Sequence, residues 1–93
     1  MNPEPLKEYH IKDHARFEMQ RRQITEEQVH QVLTAPEQAI GEQVGRCIYQ
    51  SKLRLPDSGK EYLLRVVVDT QFQPAEVVTV YRTSKMVKYW RKP

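Results

Sequence analysis

The sequence predicts a single α+β domain in which two N-terminal helices pack on one face of a small, about four-stranded antiparallel sheet. Three observations predict it. At 93 residues the chain can build one core and not two. Apolar residues recur at helical spacing up to Pro36, and beyond it side-chain character alternates with a period of two. Gly41, Gly45 and the run Pro56-Asp57-Ser58-Gly59 then punctuate the chain as turns.

Residues 1–12 read as an extended lead-in, because Pro3 and Pro5 oppose helix there. A single domain then fills residues 13–93. Asp13 is placed to cap a first helix running to about Arg22, with Ala15, Met19 and Arg22 on one face and a Glu18–Arg22 pair one turn apart. The second helix carries stronger local signals. Thr25 and Gln28 form a capping box, Glu26 and Glu27 suit the positive end of the helix dipole, and Ile24 with Val29 forms a hydrophobic staple. Val29, Val32 and Leu33 make its buried stripe, and Pro36 stops it near Thr34 or Ala35.

Glu37 to Ile40 is a weak strand or a loop. Arg46 to Leu53, Glu61 to Asp69 and Glu76 to Ser84 read as strands, and Lys85 to Arg91 as a short strand or helical turn anchored by Tyr89 and Trp90. Alternation assigns Leu64, Val66, Val78 and Val80 to the side covered by the helices. Arg65, Val77, Thr79, Tyr81 and Thr83 then face the opposite, open side.

Composition narrows function only by exclusion. No apolar run reaches membrane-spanning length, residues 1–12 lack a secretory core, and the lone Cys47 cannot form an internal disulfide, so a cytoplasmic protein is expected. Three glycines make a phosphate-binding loop improbable, and no metal or other cofactor is implied. His10 and His14 stand four apart with Asp13 between them, but His10 precedes the helix start, and Cys47 reads as a small core residue. Net charge is +3, and from Arg82 onward Lys85, Lys88, Arg91 and Lys92 follow without a single acid, so the C-terminal end is electropositive.

What remains is a polar set: His14, Arg46, Arg65 and Tyr81-Arg82-Thr83-Ser84-Lys85. These residue types suit phosphodiester chemistry. RNA is cut without metal when its 2′-hydroxyl attacks the adjacent phosphate, which needs a proton acceptor, a proton donor and fixed positive charge. Histidine and tyrosine handle protons, and arginine grips phosphate oxygens with its planar fork. Each residue also has a plainer reading. His14 fits a surface helix position, Arg65 a solvated charge on the open sheet, Tyr81 and Thr83 ordinary β-formers, and Arg82 and Lys85 strand-end charges.

The order His14-Ala15-Arg16, Met19, Arg22-Gln23-Ile24-Thr25, Val29, Val32-Leu33 and Pro36 resembles the opening of the DUF4258 domain family. The likeness resumes at Arg46, Tyr49 and Tyr62 to Val68, and closes on Val77 to Lys85. It implies kinship with RelE-, ParE- and BrnT-type bacterial toxins, hence a RelE-like fold and a metal-independent ribonuclease. Carried over by position, His14, Arg65 and Tyr81 are the catalytic set, with Arg46, Arg82, Thr83 and Lys85 lining the substrate. The partners implied are RNA, free or on the ribosome, and a neutralising antitoxin protein, with no membrane. Two alternatives stand beside it: a non-catalytic module of the same fold that binds protein or nucleic acid, and a ParE-like toxin with a protein target. Two departures from the family pattern are Gln23, where glycine is expected before Ile24, and Glu18, where a basic residue is expected.

Overall fold

The structure is a computed structural model that describes residues 4–54 and 58–92. In chain order the elements are β1 (Tyr9–Ile11), α1 (Asp13–Arg22), α2 (Glu26–Thr34), β2 (Gln38–Gly41), β3 (Arg46–Arg54), β4 (Glu61–Asp69), β5 (Ala75–Thr83) and α3 (Met86–Tyr89). Five strands form one sheet in the order β1-β5-β4-β3-β2. β2 to β5 pair antiparallel with their sequence neighbours, whereas β1 pairs parallel with β5.

This corrects the expected architecture. The sheet is mixed and five-stranded, and α1 and α2 lie between strands because β1 precedes them. That strand falls inside the segment read as a lead-in. It is three residues long, too short for alternation to reveal, and its partner is remote, with Tyr9 opposite Ala75. The link continues past the strand, where the Lys12 N–H donates to the Val77 carbonyl at 3.1 Å. Glu37 to Ile40 resolves as the edge strand β2. Of the Pro56–Gly59 turn, Pro56 and Asp57 lie outside the described residues; Gly59 follows with φ +69°.

Both helix ends follow from local chemistry. The Thr25 hydroxyl accepts from the Gln28 N–H, and the Gln28 side chain accepts from the Thr25 N–H, closing the capping box. α1 starts at Asp13 itself after Lys12, with no side-chain cap, so the expected Asp13 cap is not made. It ends on Gln23, which adopts the left-handed conformation at φ 57°, ψ 43°. The Ile24 N–H then donates back to the Met19 carbonyl at 2.8 Å, the closing bond of a Schellman turn.

α1 lies against β5, and α2 against β3 and β4. Ala15, Met19, Ile24, Val29, Val32 and Leu33 meet Tyr62, Leu64, Val66, Val68, Val77 and Val80 in one apolar cluster. Each fully buried Val or Leu there contributes about 1.5–3 kcal/mol relative to exposure. The expected faces of β4 hold, but β5 departs from them. The β4–β5 register shifts at Val67/Val68, which places Val77 and Val80 in the core and leaves Val78 half-buried. A bulge breaks the period of two, so simple alternation misplaces Val77 and Val78.

The second face is not open as expected. Ile48, Leu63 and Val67 are buried on it, and α3 with the chain after it lies against Gln50 and Arg65 of the same face. Among the described residues no helix is long and apolar enough to cross a membrane.

Candidate functional site

Sheet register creates the site. Tyr81 on β5 stands opposite Arg65 on β4, Arg65 opposite Gln50 on β3, and Gln50 opposite Gln38 on β2. These four side chains form one rung across four strands, on the face away from α1 and α2. Arg65 Nη1 donates to the Tyr81 hydroxyl at 2.5 Å, and Arg65 Nε donates to Gln50 Oε1 at 2.8 Å. Gln50 Nε2 donates onward to Gln38 Oε1 at 2.6 Å and to the Tyr89 carbonyl at 3.1 Å. Gln38 closes the rung on the chain after α3: its Nε2 donates to the Arg91 carbonyl, and its Oε1 accepts from the Arg91 N–H.

A guanidinium can only donate, so the directions propagate without ambiguity. Gln50 must present its oxygen to Arg65, and the Tyr81 oxygen must accept. The Tyr81 hydroxyl proton is therefore turned away from Arg65. The Tyr89 ring covers the guanidinium, with its centroid 4.4 Å from Cζ.

Arg65 is only 6% exposed. Its partners are an amide, a phenol and an aromatic ring, and among the described residues no carboxylate pairs with it. Nη2 makes no hydrogen bond in the rung, yet no buried side-chain nitrogen or oxygen among the described residues is left without a partner. That end of the fork therefore reaches solvent.

The remaining expected site residues are dispersed. Arg46 shares the face but lies four positions from Gln50 along β3, roughly 13 Å away, and sits 3.9 Å from Asp69. Arg82 points to the helix side, with its Cζ 5.6 Å from the Tyr62 ring centroid. Thr83 accepts from the Lys85 N–H at 3.1 Å and so shapes the turn into α3, while Lys85 is exposed. His14 is exposed on α1, whose Ala15 and Met19 enter the core on the opposite side of the sheet. It makes no hydrogen bond to Arg65 or Tyr81. Gln38 and Gln50 are site residues that the sequence does not single out, and Tyr89, read from the sequence as an anchor, is one that covers Arg65. Gln50 lies in a strand with the right alternation, but only the register puts it opposite Arg65.

Other groups are electrically settled. A cleft of about 500 Å³ between β1 and the helices holds Tyr9, His10, Arg16, Glu26, Glu27 and His30. There Arg16 is ion-paired with Glu26, and the Tyr9 hydroxyl shares a 2.8 Å hydrogen bond with His30 Nδ1. Burial, and then the Glu26 charge, push the Tyr9 phenol up. Burial also pushes the Cys47 thiol up, against the pull of its hydrogen bonds, so it is no activated nucleophile. Among the described residues no three His, Cys, Asp or Glu side chains gather as a metal site.

Fold and rung together define a small α+β domain that holds a cation in the middle of its sheet with no carboxylate paired to it among the described residues. The model of the family described as Domain of unknown function (DUF4258) matches residues 11–82, and the chain belongs to that family. The match contains Gln38, Gln50, Arg65 and Tyr81 and ends before α3. No curated protein and no solved structure matches the chain.

Proposed function

We propose that this chain binds RNA through its phosphodiester backbone, with the Arg65 guanidinium as the anion-binding centre. One observation carries the reading: a cation is buried at mid-sheet among neutral partners, with no carboxylate paired to it among the described residues. Removing such a charge from water costs several kcal/mol, which a counter-charge ordinarily offsets. A phosphate oxygen meeting Nη2 supplies that charge through a charge-assisted hydrogen bond at the one nitrogen the rung leaves open. The acid-free C-terminal run, with Lys85, Lys88, Arg91 and Lys92, adds long-range attraction for a polyanion.

A second reading is favoured by the Tyr81 hydroxyl, whose oxygen is tied to Arg65 while its proton has no acceptor among the described residues. In it the protein cleaves what it binds. The 2′-oxygen bonds to phosphorus and its proton passes to water. The bond to the 5′-oxygen breaks, and Tyr81 delivers a proton to that leaving group. Arg65 carries the charge of the phosphorane-like transition state. His14 has no part in this scheme. Kinship with RelE-, ParE- and BrnT-type toxins, growth arrest on expression and an antitoxin partner all belong to this second reading.

The test is labelled RNA incubated with pure protein in chelator, followed by affinity measurement and end-group analysis. Binding that falls at least tenfold in Arg65→Gln, with that variant still folded by circular dichroism, is the expected result. A cyclic phosphate product lost in Tyr81→Phe, with binding intact, establishes cleavage. A wild-type protein that retains no RNA at low salt ends the proposal.

A further inference from the structure

Beside the rung, on the same face, the chain after β5 forms a second feature. A slot of about 170 Å³ is lined by Lys52, Met86, Val87, Trp90 and Lys92. Its lining is apolar except for the two lysines. Lys52 Nζ stands 4.1 Å from the Trp90 ring centroid, and Val87 is 92% exposed. No residue of α3 is fully buried, and while Tyr89 covers Arg65 and Met86 is half-buried, Val87 is presented to solvent.

We infer that this slot holds one unpaired base of a single-stranded RNA whose phosphate occupies Arg65. The inference rests on the proposed RNA reading and assigns its substrate class. Three observations carry it. First, the volume lies well below the ~300–1,000 Å³ that holds a whole drug-sized ligand, so the slot takes a single ring system. Lys52 lies over the Trp90 ring, so an entering base displaces that ammonium and stacks in its place, whatever the base's identity. Second, the slot adjoins the rung. Tyr89, which covers Arg65, directly precedes Trp90, and Lys52 lies two positions from Gln50 on the same strand face, about 7 Å along it. Third, the charge is one-sided. Lys52 and Lys92 line the slot, Lys88 and Arg91 flank its residues in the chain, and the Glu37 carboxylate already accepts from the Lys52 backbone N–H at 2.6 Å. Duplex RNA keeps its bases stacked and paired, so it cannot place one in the slot.

Trp90 is the sole tryptophan of the chain, which makes its emission a direct reporter. The experiment titrates the full chain with an eight-nucleotide single-stranded RNA, the same RNA as a duplex, inorganic polyphosphate and an acidic peptide. Strong quenching by the single strand alone is expected, with its midpoint shifted at least tenfold by Val87→Glu, a fully surface change. Arg65-dependent RNA binding that leaves Trp90 emission unchanged overturns the slot and leaves the rung standing. Quenching that persists in Arg65→Gln with undiminished affinity does the reverse. Equal quenching by duplex, polyphosphate or peptide also overturns the assignment of an unpaired base.

Discussion

Consecutive residues of β4 live in opposite surroundings. Leu64 and Val66 enter a continuous apolar layer under α1 and α2, while Arg65 between them joins a hydrogen-bonded rung under a four-residue helix and a short tail. Both faces exclude water, but by different means. The helix side is filled by shape, where any apolar residue of the right volume serves. The rung side is specified by direction, because Arg65 can only donate and reversing the Gln50 amide sets donor against donor there and acceptor against acceptor at Gln38 and Tyr89. The first face supplies stability, and the second spends some of it to hold a charge in place.

Four changes break or sharpen this contrast. The largest effect is expected at Leu64→Ala, which empties a fully buried position and costs about 2–5 kcal/mol in urea denaturation, while RNA affinity of the folded fraction stays within a factor of two. Next is Arg65→Met. It leaves Gln50 Oε1 buried without its donor at about 1–3 kcal/mol, yet removes RNA binding. Equal stability losses in these two variants would mean that the faces are not built differently.

The third prediction concerns the helix layer. Gln23 holds a left-handed conformation that costs a side-chain residue roughly 1–2 kcal/mol and glycine almost nothing. Gln23→Gly should therefore raise the melting free energy by about 1 kcal/mol, less the added freedom of the unfolded chain. The smallest effect is electrostatic. Hydrogen bonds from Arg21, and then Arg22, hold the Glu18 carboxyl below its ordinary value of 4.5. A lowered folded value means the pairing stabilises the protein above pH 4.5 and fades as pH falls through that lowered value. Glu18→Gln should flatten the acid side of a stability-versus-pH curve and change nothing at neutral pH beyond the loss of an exposed pair.

What could be read from the sequence was whatever chemistry is local. The Thr25–Gln28 capping box, the Val29-Val32-Leu33 stripe and the faces of β4 all follow from neighbours within a few positions, and each is present. The expectation of glycine at position 23 marks the left-handed turn that Gln23 makes. Arg65 stands out because a charge interrupts an apolar strand. Its partners do not, because Gln50 and Gln38 become neighbours only through a register set by the whole sheet. β1 and the β5 bulge escape for the same reason: one is a remote parallel pairing, the other a single added residue. His14 stands in the family pattern, but a pattern carries no distance, and the helix layer places it away from the rung.

The parallel pairing of β1 with β5 also bears on how the protein is made. Residue 9 leaves the ribosome early and must wait for residue 75 before its backbone amides find partners. Until then one edge of the nascent fold cannot close, and Ile11 has only part of its packing. A pairing that closes after the rest of the sheet lengthens exposure to aggregation and lies beyond the rate-limiting step. Strengthening β1 by itself should therefore leave the folding rate unchanged and slow only unfolding.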